Sequence, residues 1–328
     1  MSYFSDVERD LVIDARTDVA DGVVALDLVS PNGRDLPAWT PGSHIDLVLP
    51  GSSRGEVVER QYSLCSDPAE RGSWRVAVLR EDAGRGGSVR VHESAAVGAR
   101  IRVRGPRNHF PFVPEPGLSY RFVAGGIGIT PLIAMVAAAA AAGADWHLDY
   151  AGRSRRTMAF ASELAAAHPD RVALHAADEG GRFDVSGLAA SADEHTRIYA
   201  CGPARLLDAL DAAFPGEDGT RLHLERFEAM EFGEPVWPDP FEVELALSGD
   251  VVTVSPGQSV LDAITEQSPE TVVLSSCRRG TCGTCEAPVL EGEIEHRDSV
   301  LTPLERQDST VMMVCVSRAA CPRIVLDL

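Results

Sequence analysis

Three cysteines, at 277, 282 and 285, fall within nine residues in the run "SSCRRGTCGTCE" from Ser275 to Glu286. Arginine, glycine and threonine surround them in place of core apolar residues, so packing is not what gathers these thiols. The spacing is C-x4-C-x2-C, with a further cysteine far downstream at Cys315. A two-iron cluster needs four thiolates, two on each iron, and this spacing supplies them. Glycines 280 and 283 let the loop wrap its N–H groups around the sulfides. The fourth thiolate must arrive from a separate strand, and "STVMMVCVSR" offers Cys315 at the end of a β-type apolar run. A structural zinc site prefers paired C-x2-C units, and only one such unit is present. The [2Fe–2S] reading therefore takes precedence. Cys321, six residues beyond Cys315, is surplus and reads as a packed thiol. Seven cysteines, three of them crowded in one loop, do not suit a secreted disulfide protein.

The surroundings agree. "FEVELAL", a turn at "SGD" and "VVTVSP" form a β-hairpin pattern, and "GQSVLDAITEQ" follows with helical periodicity. After the cysteine loop come strand-like "APVLEGEIEH", a short helix in "TPLERQ", and strands at "VMMVC" and "RIVLDL". In ligand spacing and element order, residues 238–328 resemble a plant-type ferredoxin of the α+β β-grasp fold.

The middle of the chain alternates strands with helices, which indicates an α/β domain on a parallel sheet. "SYRFVAGGIGITPLIAMVAAAAAAG" reads as strand, glycine turn and helix. Gly125, Gly126 and Gly128 permit close approach of a phosphate, and the helix beginning near Thr130 and Pro131 aims its N–H groups and positive dipole end at it. Many α/β turns look like this, and the spaced G-x-G-x-x-G fingerprint is absent. "HLDYAGRSRRTMAFASEL" is a strand, ending at Tyr150, that runs into a helix with Arg153, Ser154 and Arg155 at the junction. "RIYACGPARLLDAL" ends its strand at Cys201-Gly202-Pro203. All three junctions lie at strand ends, where such sheets bind ligands.

The first hundred residues differ. Short alternating runs ("GVVALDLVS", "HIDLVLP", "WRVAVLR", "ARIRVRGP") between Gly/Pro turns suggest an antiparallel barrel. "RQYSLCSDP" places Arg60, Tyr62 and Ser63 on it, and "GRGGSVRVH" offers Gly86, Gly87 and Ser88 before a short helix. Alone, each has a bland reading: a strand with a surface arginine, and a flexible turn. The multi-domain division is thus residues 1–112, 113–228, a linker at 229–237, and 238–328.

Composition bounds the partners. A net charge of −19 over 328 residues argues against nucleic acid or an anionic membrane. All 30 basic residues are arginine, a pattern of codon usage. "MSYFSDVERDLVID" has neither a basic start nor an apolar run, so no signal peptide is expected. Residues 122–144 carry no charge and are long enough to span a bilayer, but three glycines and Pro131 at their start favour a strand, a turn and a buried helix. The expectation is a cytoplasmic monomer.

"RQYS", "GRGGS", "GPRNHFPF", "GGIGITP", "YAGRSR", "CGP" and the cysteine spacing occur here in the order seen in the phthalate dioxygenase reductase family, which includes vanillate demethylase reductases. The chain resembles that family over nearly its whole length. The resemblance implies a flavin barrel, a nicotinamide domain and a ferredoxin domain in succession, with FMN held by the R-x-Y-S/T motif. Arg60 would bind the flavin phosphate, Tyr62 would pack on the isoalloxazine, and Ser63 would hydrogen-bond near N5. Gly86, Gly87 and Ser88 would complete the phosphate nest. Thr130 and Cys201 would flank the nicotinamide, with Gly202 and Pro203 beside them, and Phe227 would contact the flavin or the domain junction.

These parts belong together chemically. Nicotinamide gives two electrons as a hydride, a [2Fe–2S] cluster accepts one, and flavin converts between the two regimes. Ser63, Thr130 and Cys201 are the residues expected at the hydride step, and no Ser/His/Asp or paired-carboxylate site is apparent. The sequence therefore reads as an NAD(P)H-dependent reductase serving a separate terminal oxygenase, of Rieske type first and a cytochrome P450 second. A cluster-based redox sensor is the competing class. Arg153, Ser154 and Arg155, with no carboxylate at the junction, lean the nucleotide towards NADPH over NADH.

Overall fold

Alternating apolar residues in the N-terminal part build six antiparallel strands: β1 (Glu8–Ala20), β2 (Val23–Val29), β3 (His44–Pro50), β4 (Val57–Ser63), β5 (Ser73–Leu79) and β6 (Arg100–Arg107). The structure, a computed structural model, describes residues 7–51, 57–215 and 220–328. Residues 1–6, on which the reading of a leaderless N-terminus partly rests, lie outside the described residues. The sheet order is β4-β3-β6-β1-β2-β5, and a bridge between Leu64 and Val76 joins its two edges. The result is a barrel, filled by inward residues such as Leu11, Leu26, Leu47, Trp74 and Val103. One helix, α1 (Gly87–Ser94), follows β5.

The next five strands are β7 (Ser119–Gly125), β8 (Asp145–Gly152), β9 (Val172–Ala176), β10 (Thr196–Cys201) and β11 (Leu222–Glu225). They pair in parallel throughout, in the order β11-β10-β7-β8-β9. Helices α2 (Ile129–Ala141), α3 (Ala161–Ala167), α4 (Val185–Ser191) and α5 (Ala204–Ala213) connect them. Phe122, Trp146 and Tyr150 share a core cluster with Leu132, Met135 and Val136 of α2. Val123 and Ile198 belong to a second cluster with Leu188 of α4 and Leu207 of α5. Strand residues of opposite parity thus feed opposite faces, as a sheet buried on both sides requires. β8 runs two residues beyond its expected end at Tyr150, because Ala151 still pairs with Gly125 and Gly152 with Ala176. A 3-10 turn at Arg155–Thr157 then separates it from α3.

The chain divides into two compact units, one ending at Phe227 and the other spanning Glu228–Leu328. The second unit contains β12 (Phe241–Leu245), β13 (Val251–Val254), α6 (Val260–Gln267), β14 (Glu286–Glu291), β15 (Ile294–Glu295), α7 (Pro303–Asp308), β16 (Val311–Met313), β17 (Arg318–Ala319) and β18 (Arg323–Leu326). Its main sheet runs β13-β12-β18-β14-β16, and β15 pairs with β17. α7 opens on a reciprocal cap: the Thr302 hydroxyl accepts from the Glu305 N–H at 3.3 Å, and the Glu305 carboxylate accepts from the Thr302 N–H at 2.8 Å. The uncharged run at 122–144 folds as strand, turn and helix. Among the described residues, no helix is long and apolar enough to cross a membrane.

Candidate electron-transfer sites

The cysteine loop lies between α6 and β14, and it turns on positive-φ residues: Arg278 at 53°, Gly280 at 69° and Gly283 at 70°. A Cβ on Gly280 would lie 2.6 Å from Val316 Cγ2, so that position needs glycine for space as well as for conformation. The turn aims the N–H groups of Arg279 and Thr281 at Cys277 Sγ, at 3.3 and 3.4 Å. Cys277, Cys282, Cys285 and Cys315 are all buried. Cys277 Sγ contacts the sulfurs of Cys282 and Cys315, and Cys285 contacts Cys315. Those contacts push the Cys277 thiol below its ordinary value. Cys315 sits in the turn after β16, which ends at Met313, and not in the strand itself. Cys321 is apart, with its sulfur 3.0 Å from the Arg323 carbonyl and 3.3 Å from the Glu293 amide. Among the described residues, no group of three or more His, Cys, Asp or Glu side chains forms a preset shell around one metal ion. Four buried thiols that meet in pairs, with backbone N–H donors turned to the sulfur, fit a [2Fe–2S] cluster.

The glycine turn after β7 is explained by packing. A Cβ on Gly128 would fall 2.2 Å from the Cys201 carbonyl oxygen, and one on Gly125 would fall 2.5 Å from Pro203 Cδ. A Cβ on Gly202 would lie 2.9 Å from Gly125 Cα. These three glycines therefore press two strand ends together. Gly126, at φ 55°, is the one of the turn's glycines with open space beside it for a ligand. Thr130 is buried at the start of α2, and its hydroxyl donates to the Ile127 carbonyl at 3.0 Å.

Cys201 ends β10 fully buried, opposite Glu225 of β11. The two side chains are hydrogen-bonded. Burial pushes the Glu225 carboxyl up to about 8, although the thiol contact pulls it partly back. Burial and the neighbouring carboxyl push the Cys201 thiol well up. Glu225 Oε2 is buried without a hydrogen-bond partner, so the carboxyl head is enclosed although the residue as a whole is half-buried. Phe227, just beyond, is exposed.

At the end of β8, Ser154 caps the 3-10 turn together with Thr157. Arg155 Nε meets both oxygens of Glu179 at 2.9 Å, and Arg156 pairs with Asp21 at 2.9 Å. The sequence expectation of a junction without carboxylate holds for the junction's own residues, but the turn after β9 brings Glu179 to it. Arg153 is exposed.

On the barrel, Arg60 of β4 lies across the start of α1. Its guanidinium donates to the Arg85 carbonyl at 2.8 Å, and a Cβ on Gly87 would strike its Cγ at 2.5 Å. Gly86, at φ 76°, turns the chain into α1, and the Ser88 hydroxyl accepts from the Glu81 N–H at 3.0 Å. Tyr62 packs against the barrel core, and burial pushes its hydroxyl up. Ser63 is buried at the end of β4. Near this strand end, Cys65, Ala77 and Val23 of the barrel pack with Ile127, Ile133 and Phe160 of the α/β part. The glycine turn therefore meets the barrel close to Ser63.

A family model described as "2Fe-2S iron-sulfur cluster binding domain" matches residues 244–320. The chain is 44% identical over 310 residues to the phenoxybenzoate dioxygenase subunit beta of Ectopseudomonas oleovorans, covering 94% of each. The solved structure titled phthalate dioxygenase reductase is 33% identical, covers 98% of both chains and superposes with a TM-score of 0.68. The chain belongs to the phthalate dioxygenase reductase family. An intact type IV self-sufficient cytochrome P450 monooxygenase is also 44% identical, with a TM-score of 0.89. It matches 98% of this chain, which spans 41% of that longer one.

Like its family, this reductase is an oxidoreductase with a [2Fe–2S] domain, and its fold is that of a flavin and pyridine-nucleotide enzyme. Glu225 and Glu179 are the site residues that sequence reasoning missed. The signal for Glu225 was a carboxylate closing a β-type run at "LHLE"; no local signal marked Glu179.

Proposed function

We propose that this reductase passes electrons from NAD(P)H through FMN to a [2Fe–2S] cluster and on to a separate oxygenase, of Rieske type. The observation that carries the reading is the group of four buried thiols, Cys277, Cys282, Cys285 and Cys315, downstream of a barrel and a parallel sheet that meet beside Ser63. The functional division follows residues 1–112, 113–228, 229–237 and 238–328.

The bound flavin accepts a hydride and releases single electrons. Arg60 and the first N–H groups of α1 hold its phosphate, with Gly86 and Gly87 keeping the approach open. The Ser88 hydroxyl accepts from Glu81 and keeps its own proton to donate. Tyr62 would pack against the isoalloxazine, and Ser63 would donate near N5. Gly126 admits the dinucleotide backbone, while Thr130, Cys201, Gly202 and Pro203 shape the nicotinamide wall. Phe227, which is exposed, would contact the flavin or the domain junction. Cys277, Cys282, Cys285 and Cys315 hold the cluster. FMN is favoured over FAD because the family resemblance puts the flavin phosphate at Arg60 and Ser88, where Arg60 lies across the start of α1. For the nucleotide, Arg153, Ser154 and Arg155 favour NADPH. The preference is small, because a 2′-phosphate must displace Glu179 from Arg155.

A P450 acceptor is the second reading, favoured by the likeness to a self-sufficient P450. For the Rieske reading, the support is the likeness to a subunit named for a dioxygenase. Anaerobic titration tests the electron path: full bleaching takes about 1.5 equivalents of NAD(P)H, two electrons for the flavin and one for the cluster. Bleaching of the flavin alone would contradict it. Heat release and chromatography identify the flavin, and recovered FAD would refute the FMN assignment.

A further inference from the structure

The second unit is strongly acidic, with 18 carboxylate residues against six arginines in residues 228–328. No carboxylate occurs between Glu270 and Glu286, the segment that carries three of the cluster cysteines, nor between Asp308 and Asp327, the segment that carries the fourth. Five of the six arginines are engaged. Arg278 pairs with Asp262, Arg297 with Glu295 and Arg323 with Glu244. Arg306 donates to the Asp298 carbonyl and Arg318 to the Gln258 carbonyl. Among the described residues of this unit, Arg279 is the one arginine whose guanidinium has no partner. Its side chain is exposed, while its backbone N–H lies 3.3 Å from Cys277 Sγ. In the same segment, Val272 is 80% exposed and Leu274 is 41% exposed.

We propose that the exposed side of the 271–285 loop, with Arg279 as its cation and Val272 and Leu274 as its apolar contacts, is the docking face for the electron acceptor, and that the acceptor presents an acidic surface there. This inference rests on the proposed electron path and adds the chemistry of the partner. The loop carries three of the four thiols and turns the Arg279 and Thr281 N–H groups to Cys277 Sγ, so a partner seated there has a short electron path to the cluster. A cation surrounded by an acidic unit is read by a partner only at close range. At about 0.1 M salt, charges beyond roughly 10 Å are screened, and the local sign governs docking. An acidic partner is then held at Arg279 and repelled elsewhere, which fixes its orientation as well as its affinity.

The probes are oxidised cytochrome b5, whose haem edge is acidic, and oxidised cytochrome c, whose haem edge is basic. Binding to the oxidised holoprotein is measured by calorimetry at about 0.1 M ionic strength, without turnover. Arg279→Glu is expected to weaken cytochrome b5 binding by about three- to thirty-fold and to leave cytochrome c binding no weaker. In single-turnover mixing, one electron leaves the reduced protein and reduces one haem iron, and this rate should follow the same order. Undetectable binding of cytochrome b5 to the wild type, or an unchanged affinity in Arg279→Glu, overturns the proposal. Val272→Asp, which leaves the turn itself alone, should weaken cytochrome b5 binding in the same direction, and no effect there also counts against it. The EPR signal of the reduced cluster is recorded for every variant. Its absence from the wild type would sink the electron-path reading itself, whereas its presence with unchanged affinities sinks only the docking face.

Discussion

Replacing Glu225 by glutamine should change the pH dependence of stability, because this carboxyl is enclosed and its folded-state value stands at about 8 against an ordinary 4.5. Between those values the folded protein binds more protons than the unfolded chain. Stability therefore falls as pH rises through that window. Below about pH 4.5 both states are protonated and the difference vanishes. A gap of roughly 3.5 pH units corresponds to at most about 4.8 kcal/mol. Relaxation and water entry around a buried carboxylate reduce this, so about 2–4 kcal/mol is expected by pH 8.5. Glutamine keeps the shape and a hydrogen-bonding group for Cys201 but cannot ionise. Glu225→Gln should exceed the wild type by no more than about 1 kcal/mol near pH 5 and by about 2–4 kcal/mol at pH 8.5. Stopping at pH 8.5 limits the contribution of the Cys201 thiol, whose own value lies well above 9. The assay is urea unfolding at pH 5, 7 and 8.5, followed by tryptophan fluorescence. Parallel pH slopes for the two proteins would show that Glu225 ionises freely in the folded state, and the account of this strand end would be wrong.

Gly128→Ala should lower stability by about 1–3 kcal/mol and raise KM for NAD(P)H, because its Cβ meets a backbone oxygen that no rotamer change can move; a denaturation midpoint equal to wild type would contradict this. Arg155→Ala should reduce the NADPH/NADH ratio of kcat/KM by about three- to ten-fold, less than a free arginine–phosphate contact would give, because Glu179 already holds Arg155. An unchanged ratio would remove this junction from cofactor selection. Arg60→Ala should weaken FMN binding by about ten- to a hundred-fold, read by fluorescence on flavin titration, and unaltered retention would displace Arg60 from the phosphate.

Much of the fold was legible because its signals are local. The cysteine spacing, the strand–helix alternation and the short helix in "TPLERQ" each sit within a short window. β1 was harder to read. Its register shifts between Ile13 and Ala15 and again between Asp18 and Ala20, and each shift exchanges the inward and outward faces and breaks the period of two. The site residues that escaped notice are set by register and not by sequence neighbours. Glu225 meets Cys201 because β10 and β11 pair at that rung, and Glu179 reaches Arg155 across 24 residues. The turn glycines were legible as necessary, but their reason was not. Gly125 and Gly128 are fixed by the backbone and proline of the adjacent strand end, which no reading of the turn alone could supply.

The account turns on the cluster and its ligands, and one comparison tests it most directly: the visible and EPR spectra of Cys315→Ser beside those of Cys321→Ser. The account predicts that Cys315→Ser loses the cluster while FMN remains bound, since Cys315 contacts Cys277 and Cys285 in a unit of its own, and that Cys321→Ser keeps the wild-type spectrum. An intact cluster in Cys315→Ser, with the loss appearing in Cys321→Ser, would contradict it.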